Sequence, residues 1–103
     1  MTSVPASKPG VQERILLHLR DYVDHADKVE VPFALSQMGI ANAVSIARSN
    51  VPRAISGLRD QGYLIERQAH VTGVSRKRKA YFLTDDGAKL ADDIWSKVGM
   101  QMV

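Results

Sequence analysis

Apolar residues recur every three to four positions in the first half of the chain, which predicts two amphipathic helices. The first helix is predicted from about Val11 to roughly His25, and the second from Gln37 to Val44 with Ser36 as its N-cap. Between them, residues 27–33 alternate apolar and polar side chains, which indicates a short strand. Pro32 confines that strand to the edge of a sheet, because proline has no backbone N–H to donate.

A third helix is predicted over about residues 47–61, and its two faces differ in chemistry. One face has the i, i+3, i+4, i+7 spacing of a buried stripe and holds Val51, Ala54, Ile55 and Leu58. The other carries short polar side chains and cations, namely Arg48, Ser49, Asn50, Arg53 and Ser56. With Ser49 as N-cap, Pro52 lies in the first turn, where its missing N–H costs little.

This third helix has two interpretations. It could be an ordinary amphipathic surface helix. It could also read the major groove of DNA, because short hydroxyls allow close approach and arginine reaches guanine edges or phosphates.

A β-hairpin is predicted after Gly62, which is expected to end the third helix. Its strands run from Tyr63 to about His70 and from Arg78 to Leu83, joined by an extended basic tip. Thr84 is then expected to cap a last helix. One side of that helix is apolar and holds Leu90, Ala91, Ile94, Trp95, Val98 and Met102.

Length and composition indicate one small domain over residues 11–103, preceded by a loose leader at residues 1–10. The 103 residues include no cysteine, which excludes disulfides, thiol chemistry and a Cys-type zinc site. His18 and His25 are a weak metal signal without a third ligand nearby, so no metal or cofactor is expected. We expect a cytoplasmic protein, since no run is apolar enough to span a membrane.

The positive charge is concentrated in the middle of the chain. The whole chain has a formal net charge of +3, but residues 45–80 carry eight basic and two acidic residues, a net charge of +6. The remaining residues carry six basic and nine acidic ones, a net charge of −3. This asymmetry indicates one side that faces a polyanion.

Three segments together resemble the winged helix-turn-helix regulators of the MarR type. They are residues 46–58 (IARSNVPRAISGL), 60–67 (DQGYLIER) and 80–90 (AYFLTDDGAKL), and the resemblance extends over roughly residues 11–98. It implies an α+β fold with a three-helix core, a β-hairpin wing and a C-terminal helix. It also implies a transcription regulator that binds double-stranded DNA.

The resemblance assigns roles to particular residues. The helix over about 47–61 would enter the major groove with Arg48, Ser49, Asn50, Arg53 and Ser56. The wing over about 70–80 would reach along the backbone or into a minor groove with Arg76, Lys77, Arg78 and Lys79. Ser36 and Gln37, at the start of the second helix, would contact phosphate.

Other functions remain open at this point. A winged helix can also bind protein, and structured RNA would attract the same basic residues. An enzyme is not expected, because the adjacent acidic pairs Asp85/Asp86 and Asp92/Asp93 do not converge and no nucleotide-binding loop is present. The first and last helices carry surplus apolar surface, so a homodimer through them is expected, with Trp95 in the core or in that interface.

Overall fold

The computed structural model describes residues 10–101, with side chains up to residue 98. Within that range, four α-helices are α1 (Val11–Arg20), α2 (Gln37–Val44), α3 (Val51–Asp60) and α4 (Asp85–Gln101). The strands are β1 (Glu30–Val31), β2 (Leu64–Val71) and β3 (Lys77–Leu83). Single 3₁₀ turns lie at Val23–His25, Phe33–Leu35 and Arg48–Asn50. The leader up to residue 9, and Met102 on the predicted apolar side of α4, lie outside the described residues.

The three strands form one sheet in the order β1-β2-β3. Strands β2 and β3 are antiparallel, from the pair Leu64–Leu83 to the pair His70–Lys77. Strand β1 is parallel to the end of β2 and is only two residues long, shorter than the predicted residues 27–33. The predicted edge position is confirmed, and the strand stops at Pro32 because the next residues turn into a 3₁₀ helix.

One core joins all the helices to the sheet. Helix α1 packs against α2, α3, α4 and β3, so it lies at the centre of the fold. The largest fully buried side chains come from all parts of the domain: Ile15, Leu16, Leu19, Val31, Leu35, Ile40, Val51, Leu58, Val71 and Phe82. This packing holds α2, α3 and the hairpin in fixed positions relative to one another.

Helix α1 begins at Val11 as predicted and ends earlier than predicted. It ends at Arg20 rather than near His25, because Tyr22 leaves the helical region (φ −120°, ψ 20°) and its N–H bonds to the Leu19 carbonyl, 3.0 Å away. At the other end, the Gly10 N–H donates to Glu13 Oε1 at 2.8 Å. Gly10 therefore belongs to the cap of α1 rather than to a separate leader.

Helix α2 has the predicted bounds and the predicted cap. The Ser36 hydroxyl accepts a hydrogen bond from the Gly39 N–H at 3.1 Å. Gly39 lies against the turn that precedes α2 and leaves no room for a side chain. A Cβ at Gly39 would lie 2.0 Å from the carbonyl oxygen of Phe33, in the preceding 3₁₀ turn. The turn and α2 therefore pack as one unit.

Helix α3 ends as predicted at Gly62, which has a φ of +86°. The Gly62 N–H bonds to the Arg59 carbonyl at 2.9 Å, and the Tyr63 N–H bonds to the Leu58 carbonyl at 3.0 Å. This pair of bonds is a Schellman motif, and it turns the chain directly from α3 into the hairpin.

Helix α4 begins after Thr84, whose hydroxyl accepts the Gly87 N–H at 3.0 Å as predicted. Its residues Ala91 and Ile94 are buried, but Trp95 is 49% exposed. Of the two expected positions for Trp95, the core is therefore wrong, and the interface stays a prediction. The guanidinium of Arg20 lies 5.5 Å from the centre of the indole ring, which orders Trp95 against α1. No helix within residues 10–101 has the length and apolar character needed to cross a membrane.

Candidate nucleic-acid interface

The start of the third helix differs from its prediction. Residues Arg48–Asn50 form a 3₁₀ turn and the α-helix begins at Val51, with Asn50 rather than Ser49 in the N-cap position. The reason is Pro52: it has no N–H to bond the carbonyl four residues earlier, so an α-helix from Ala47 would lose that bond. The i→i−3 bond from the Asn50 N–H to the Ala47 carbonyl, 2.9 Å, closes the turn instead.

The two predicted faces of α3 are confirmed. The stripe of Val51, Ala54, Ile55 and Leu58 is buried. On the outer side Arg53 is exposed, as are Arg48, Ser49 and Asn50 on the 3₁₀ turn, and Ser56 is half-buried. One side of α3 is therefore buried in the core. The other side carries short polar side chains and cations and is open to a partner.

A groove lies between the start of α2, the 3₁₀ turn before α3 and the hairpin, with a volume of about 400 Å³. We term it the α2–wing groove. It brings together six of the eleven predicted site residues: Ser36, Gln37, Arg48, Lys77, Arg78 and Lys79. The other five, Ser49, Asn50, Arg53, Ser56 and Arg76, are not among its lining residues.

The groove also contains residues that the sequence interpretation missed, namely Phe33, Met38, Gln68, Val74 and Tyr81. Gln68 pairs directly with Lys79 across the hairpin, so its side chain shares a face with that lysine. The alternation of side chains along β2 was the available signal for Gln68. The exposed Phe33 and Met38 come from the turn before α2 and from α2 itself, and no local pattern marked them.

The basic run of the wing is distributed differently from the prediction. Lys77, Arg78 and Lys79 lie on strand β3, and of the four cations only Arg76 lies in the loop that joins β2 to β3. The strand extends that far because Lys77 pairs with His70. All four cations are exposed. Strand β3 therefore begins one residue before the predicted Arg78 and carries three of the four cations.

Ser36 differs from the other groove residues because its hydrogen-bonding groups are already used. It is 7% exposed, its hydroxyl donates to the Phe33 carbonyl at 2.6 Å, and its N–H donates to the same oxygen at 2.9 Å. Ser36 therefore shapes the wall of the groove. Gln37, beside it at the first position of α2, is half-buried.

Most of the surface cations have no acidic partner. Within residues 10–101, no carboxylate oxygen lies within 4.0 Å of the charged groups of Arg48, Arg53, Arg76, Lys77 or Arg78. Lys79 is different, since its Nζ lies 3.7 Å from Glu66 Oε2. Among these six cations, only Lys79 therefore has its charge offset by a nearby carboxylate.

Tyr81, which lines the groove, and Arg67 on β2 both interact with groups inside the domain. Burial raises the pKa of the Tyr81 hydroxyl above 10.0, and the charge of Glu66 adds to this while Arg59 opposes it. Arg67 donates to the carbonyls of Ala26 and Lys28 at 2.7 and 2.9 Å, and its guanidinium lies 4.6 Å from the centre of the Phe82 ring. Arg67 contributes to the net charge of +6 over residues 45–80, but its guanidinium is bonded to the backbone of this chain and is not free to bind a partner.

The two histidines singled out in the sequence lie away from this groove. His18 Nε2 makes a 2.8 Å hydrogen bond with the Ala34 carbonyl, and both His18 and His25 pack against the ring of Tyr22. Within residues 10–101, no three histidine or acidic side chains are grouped so as to hold a metal ion.

Comparison with known proteins identifies the fold. No protein-family model matches the chain. No curated protein sequence matches it either. Solved structures do match. A zinc-responsive MarR family member, ZitR of Lactococcus lactis, is 19% identical with a TM-score of 0.68, over 97% of this chain and 60% of that one.

Two further matches come from Staphylococcus aureus. MepR, a transcription regulator of the multidrug efflux pump MepA, is 20% identical with a TM-score of 0.64, over 90% of this chain and 59% of that one. The same protein in a MepR–DNA complex is 19% identical with a TM-score of 0.67, over 91% and 67%. The expected winged helix-turn-helix fold is confirmed. The chain spans about 60% of the length of the ZitR structures that it matches.

Proposed function

We propose that this chain is a DNA-binding module of a transcription regulator, with α3 in the major groove and the β2–β3 hairpin on the backbone or in a minor groove. The observation that carries the proposal is the α2–wing groove, which is lined by Arg48 from the 3₁₀ turn before α3 and by Lys77 and Arg78 from the wing. These three cations have no carboxylate within 4.0 Å among the described residues. A duplex would supply the missing anions.

The shape of α3 supports this role. Its buried stripe fixes the helix, while Arg53 and Ser56 on its outer side, with Ser49 and Asn50 just before it, are small or cationic groups suited to base edges and phosphates. Gln37 at the start of α2 and the wing cation Arg76 would add backbone contacts, which set orientation rather than sequence preference. Lys79 differs from them because it is already paired with Glu66, 3.7 Å away.

The structural neighbours support the same role. MepR is a transcription regulator that has been solved with DNA, and the structure of that complex matches 91% of this chain. At about 20% identity this support concerns the fold alone, so the assignment of contacts depends on the residues of this chain.

The test is a mobility shift of promoter DNA, or of a random DNA library, over a range of salt concentrations. Log K should fall linearly with log salt, with a slope of about 0.9 for each phosphate contact. Replacing Lys77 and Arg78 by Ala should lower the slope by about 1.8. The matched control is Lys89→Ala with Lys97→Ala, which removes the same charge from α4 and should leave the slope unchanged. A salt-independent interaction, or equal slopes in the two double variants, would contradict the proposal.

Competition with RNA separates this function from the RNA alternative. The deep, narrow major groove of A-form RNA does not admit a helix, so duplex RNA should compete poorly with duplex DNA. Equal competition would favour an RNA-binding domain. A protein-interaction module would keep its partner after the wing cations are removed, which the same double variant tests.

A homodimer through α1 and α4 is the proposed oligomeric state. Trp95 on α4 is 49% exposed and Val23, in the 3₁₀ turn that follows α1, is 44% exposed, so apolar surface stays uncovered on α4 and next to α1 within the described part of the chain. A two-fold pair would place two recognition helices about one DNA turn apart. Sedimentation should show a dimer, and Trp95→Ala should shift it towards monomer. A monomer at every concentration would contradict this proposal.

A further inference from the structure

Glu66 on β2 lies between a cation near the end of the proposed recognition helix and a cation of the wing. Its Oε1 is 3.3 Å from Arg59 Nη1, near the end of α3, and its Oε2 is 3.7 Å from Lys79 Nζ on the wing. The side chains of Arg59, Glu66 and Lys79 are 47%, 27% and 60% exposed. Both carboxylate oxygens are thus directed to cations, at a place that water and other ions can reach.

The strand register places Glu66 on the face of the hairpin that borders the α2–wing groove. Directly opposite residues in an antiparallel pair share a face, and so do residues two apart on one strand. Glu66 pairs with Tyr81, and Gln68 pairs with Lys79. Gln68, Lys79 and Tyr81 all line the groove, and the charge of Glu66 raises the pKa of Tyr81. A carboxylate therefore lies at the border of an otherwise cationic surface.

We propose that Glu66 withholds Lys79 from DNA, so that the wing makes one phosphate contact fewer than its cations allow. This inference rests on the proposed DNA-binding function. Glu66 becomes a positioning residue that limits affinity rather than a DNA contact.

The physical reason is that the two cations hold the carboxylate in place. If Glu66 paired with Lys79 alone, an arriving phosphate could replace it, because an exposed ion pair contributes little. Arg59 provides a second anchor, so the carboxylate stays beside Lys79 when DNA approaches. There it cancels the charge of Lys79 and repels phosphate.

The consequence concerns selectivity. Non-specific DNA binding comes essentially from phosphate contacts, whereas specific binding also uses base edges. A protein that holds back one backbone contact relies more on the remaining cations and on α3. Limiting an attractive but indiscriminate contact is one way in which a binding protein gains specificity.

The test is Glu66→Gln, which keeps the size of the side chain and removes its charge. The variant should bind DNA more tightly than the parent at low salt, and its slope of log K against log salt should be steeper by about 0.9, the value of one phosphate contact. Between 50 and 200 mM salt, its advantage should shrink by about 3.5-fold. Thermal unfolding of both proteins confirms that each is folded.

Two further variants make the result specific to Lys79. Asp93→Asn, on α4, changes the net charge by the same amount at a residue whose partner is Lys97, 3.3 Å away, and should leave the slope unchanged. Lys79→Ala should bind with the slope of the parent. Adding Glu66→Gln to Lys79→Ala should produce no steeper slope, because the released cation is absent.

Three results would overturn the inference. One is a Glu66→Gln variant with the slope of the parent, and another is weaker binding by that variant. The third is a steeper slope that persists in the Lys79→Ala background. In each of these the parent still binds DNA in a salt-dependent way, so the proposed function stands. A parent that binds no DNA would overturn the proposed function, and this inference with it.

Discussion

The cations of this domain form two sets. Those of one set are bonded within the domain, and those of the other are open to a partner. Arg14 donates to the Val44 carbonyl at 2.7 Å, and Arg67 donates to two carbonyls of the segment before β1. Arg48 and Arg53 are exposed and have no carboxylate within 4.0 Å among the described residues. The same residue type therefore serves stability in one region and is available for recognition in the other.

The difference has a simple physical origin. Backbone carbonyls outside helices and strands need donors when they are buried, and a guanidinium offers five N–H groups on one long side chain. The end of α2 and the segment before β1 have such carbonyls, and the bonds to Val44 and Ala26 are partly buried. The wing and the start of α3 do not, because their backbone groups bond within strands and turns. Apart from Lys79, which pairs with Glu66, the cations there have no acidic partner among the described residues.

The largest expected effect comes from replacing Arg67, which belongs to the bonded set. Arg67→Met should lower the free energy of unfolding by about 3 kcal/mol, because two hydrogen bonds from a charged donor and the contact with Phe82 are lost. Urea unfolding measures the change. Arg78→Met on β3 is the matched control and should stay within about 0.5 kcal/mol of the parent, as expected of a surface substitution.

DNA binding by the same Arg67 variant tests whether Arg67 takes part in recognition. Below its unfolding temperature, Arg67→Met should keep the salt slope of the parent, since Arg67 contacts no phosphate in the proposed complex. Equal destabilisation by Arg67→Met and Arg78→Met would show that the division between the two sets is mistaken.

The sequence predicted the fold well where local signals agreed. Helix α2 was predicted to the residue, because Ser36 caps it and Ile40, Ala41 and Val44 recur with helical spacing. The buried stripe of α3 and the turn at Gly62 followed from the same kind of signal. Each of these features depends on residues within one or two turns of the chain, which is the range over which a pattern can be seen.

The features that were missed depend on distant or competing contacts. The α-helix starts at Val51 because Pro52 cannot donate the hydrogen bond that an earlier start would need. Whether a helix tolerates that loss depends on how the surrounding residues pack. Arg67 and Ala26 are 41 residues apart, so no local pattern separates Arg67 from the free cations. The same holds for Glu66, whose partners lie on α3 and β3. The charge of residues 45–80 was correctly counted, but its distribution between structure and surface required the fold.

Arg53 provides the sharpest test of the open set. Arg53→Ala should leave stability unchanged, because the side chain is exposed on the outer side of α3. If Arg53 reads a base edge, binding to the preferred site should weaken by about 2 kcal/mol while binding to random DNA hardly changes. If it contacts phosphate, both should weaken together and the salt slope should fall by about 0.9. No effect on either DNA would remove Arg53 from the interface.

Arg20 lies between the two sets, since it is bonded but partly exposed. Its Nε lies 2.6 Å from Asp92 Oδ1, and the two side chains are 35% and 66% exposed. Solvent weakens such a pair, so Arg20→Gln should cost only about 0.5 kcal/mol of stability at low protein concentration. The cost should rise with protein concentration if Trp95, beside Arg20, is covered in a dimer. A cost that is independent of concentration would count against a dimer through α1 and α4.

The smallest effect at neutral pH concerns Tyr81, at the border of the groove. Because burial and the Glu66 charge raise its pKa above 10.0 in the folded chain, the folded state keeps this proton after the unfolded state has lost it. The stability that comes from the protonated hydroxyl is therefore complete below about pH 10 and declines as the pH rises through the higher folded pKa. Tyr81→Phe should show a smaller loss of stability than the parent between neutral pH and pH 11, as measured by urea unfolding. Adding Glu66→Gln to the parent should also lessen the alkaline loss, since the second cause of the shift is removed. An alkaline loss of the same size in all three proteins would show that the hydroxyl of Tyr81 is not coupled to folding.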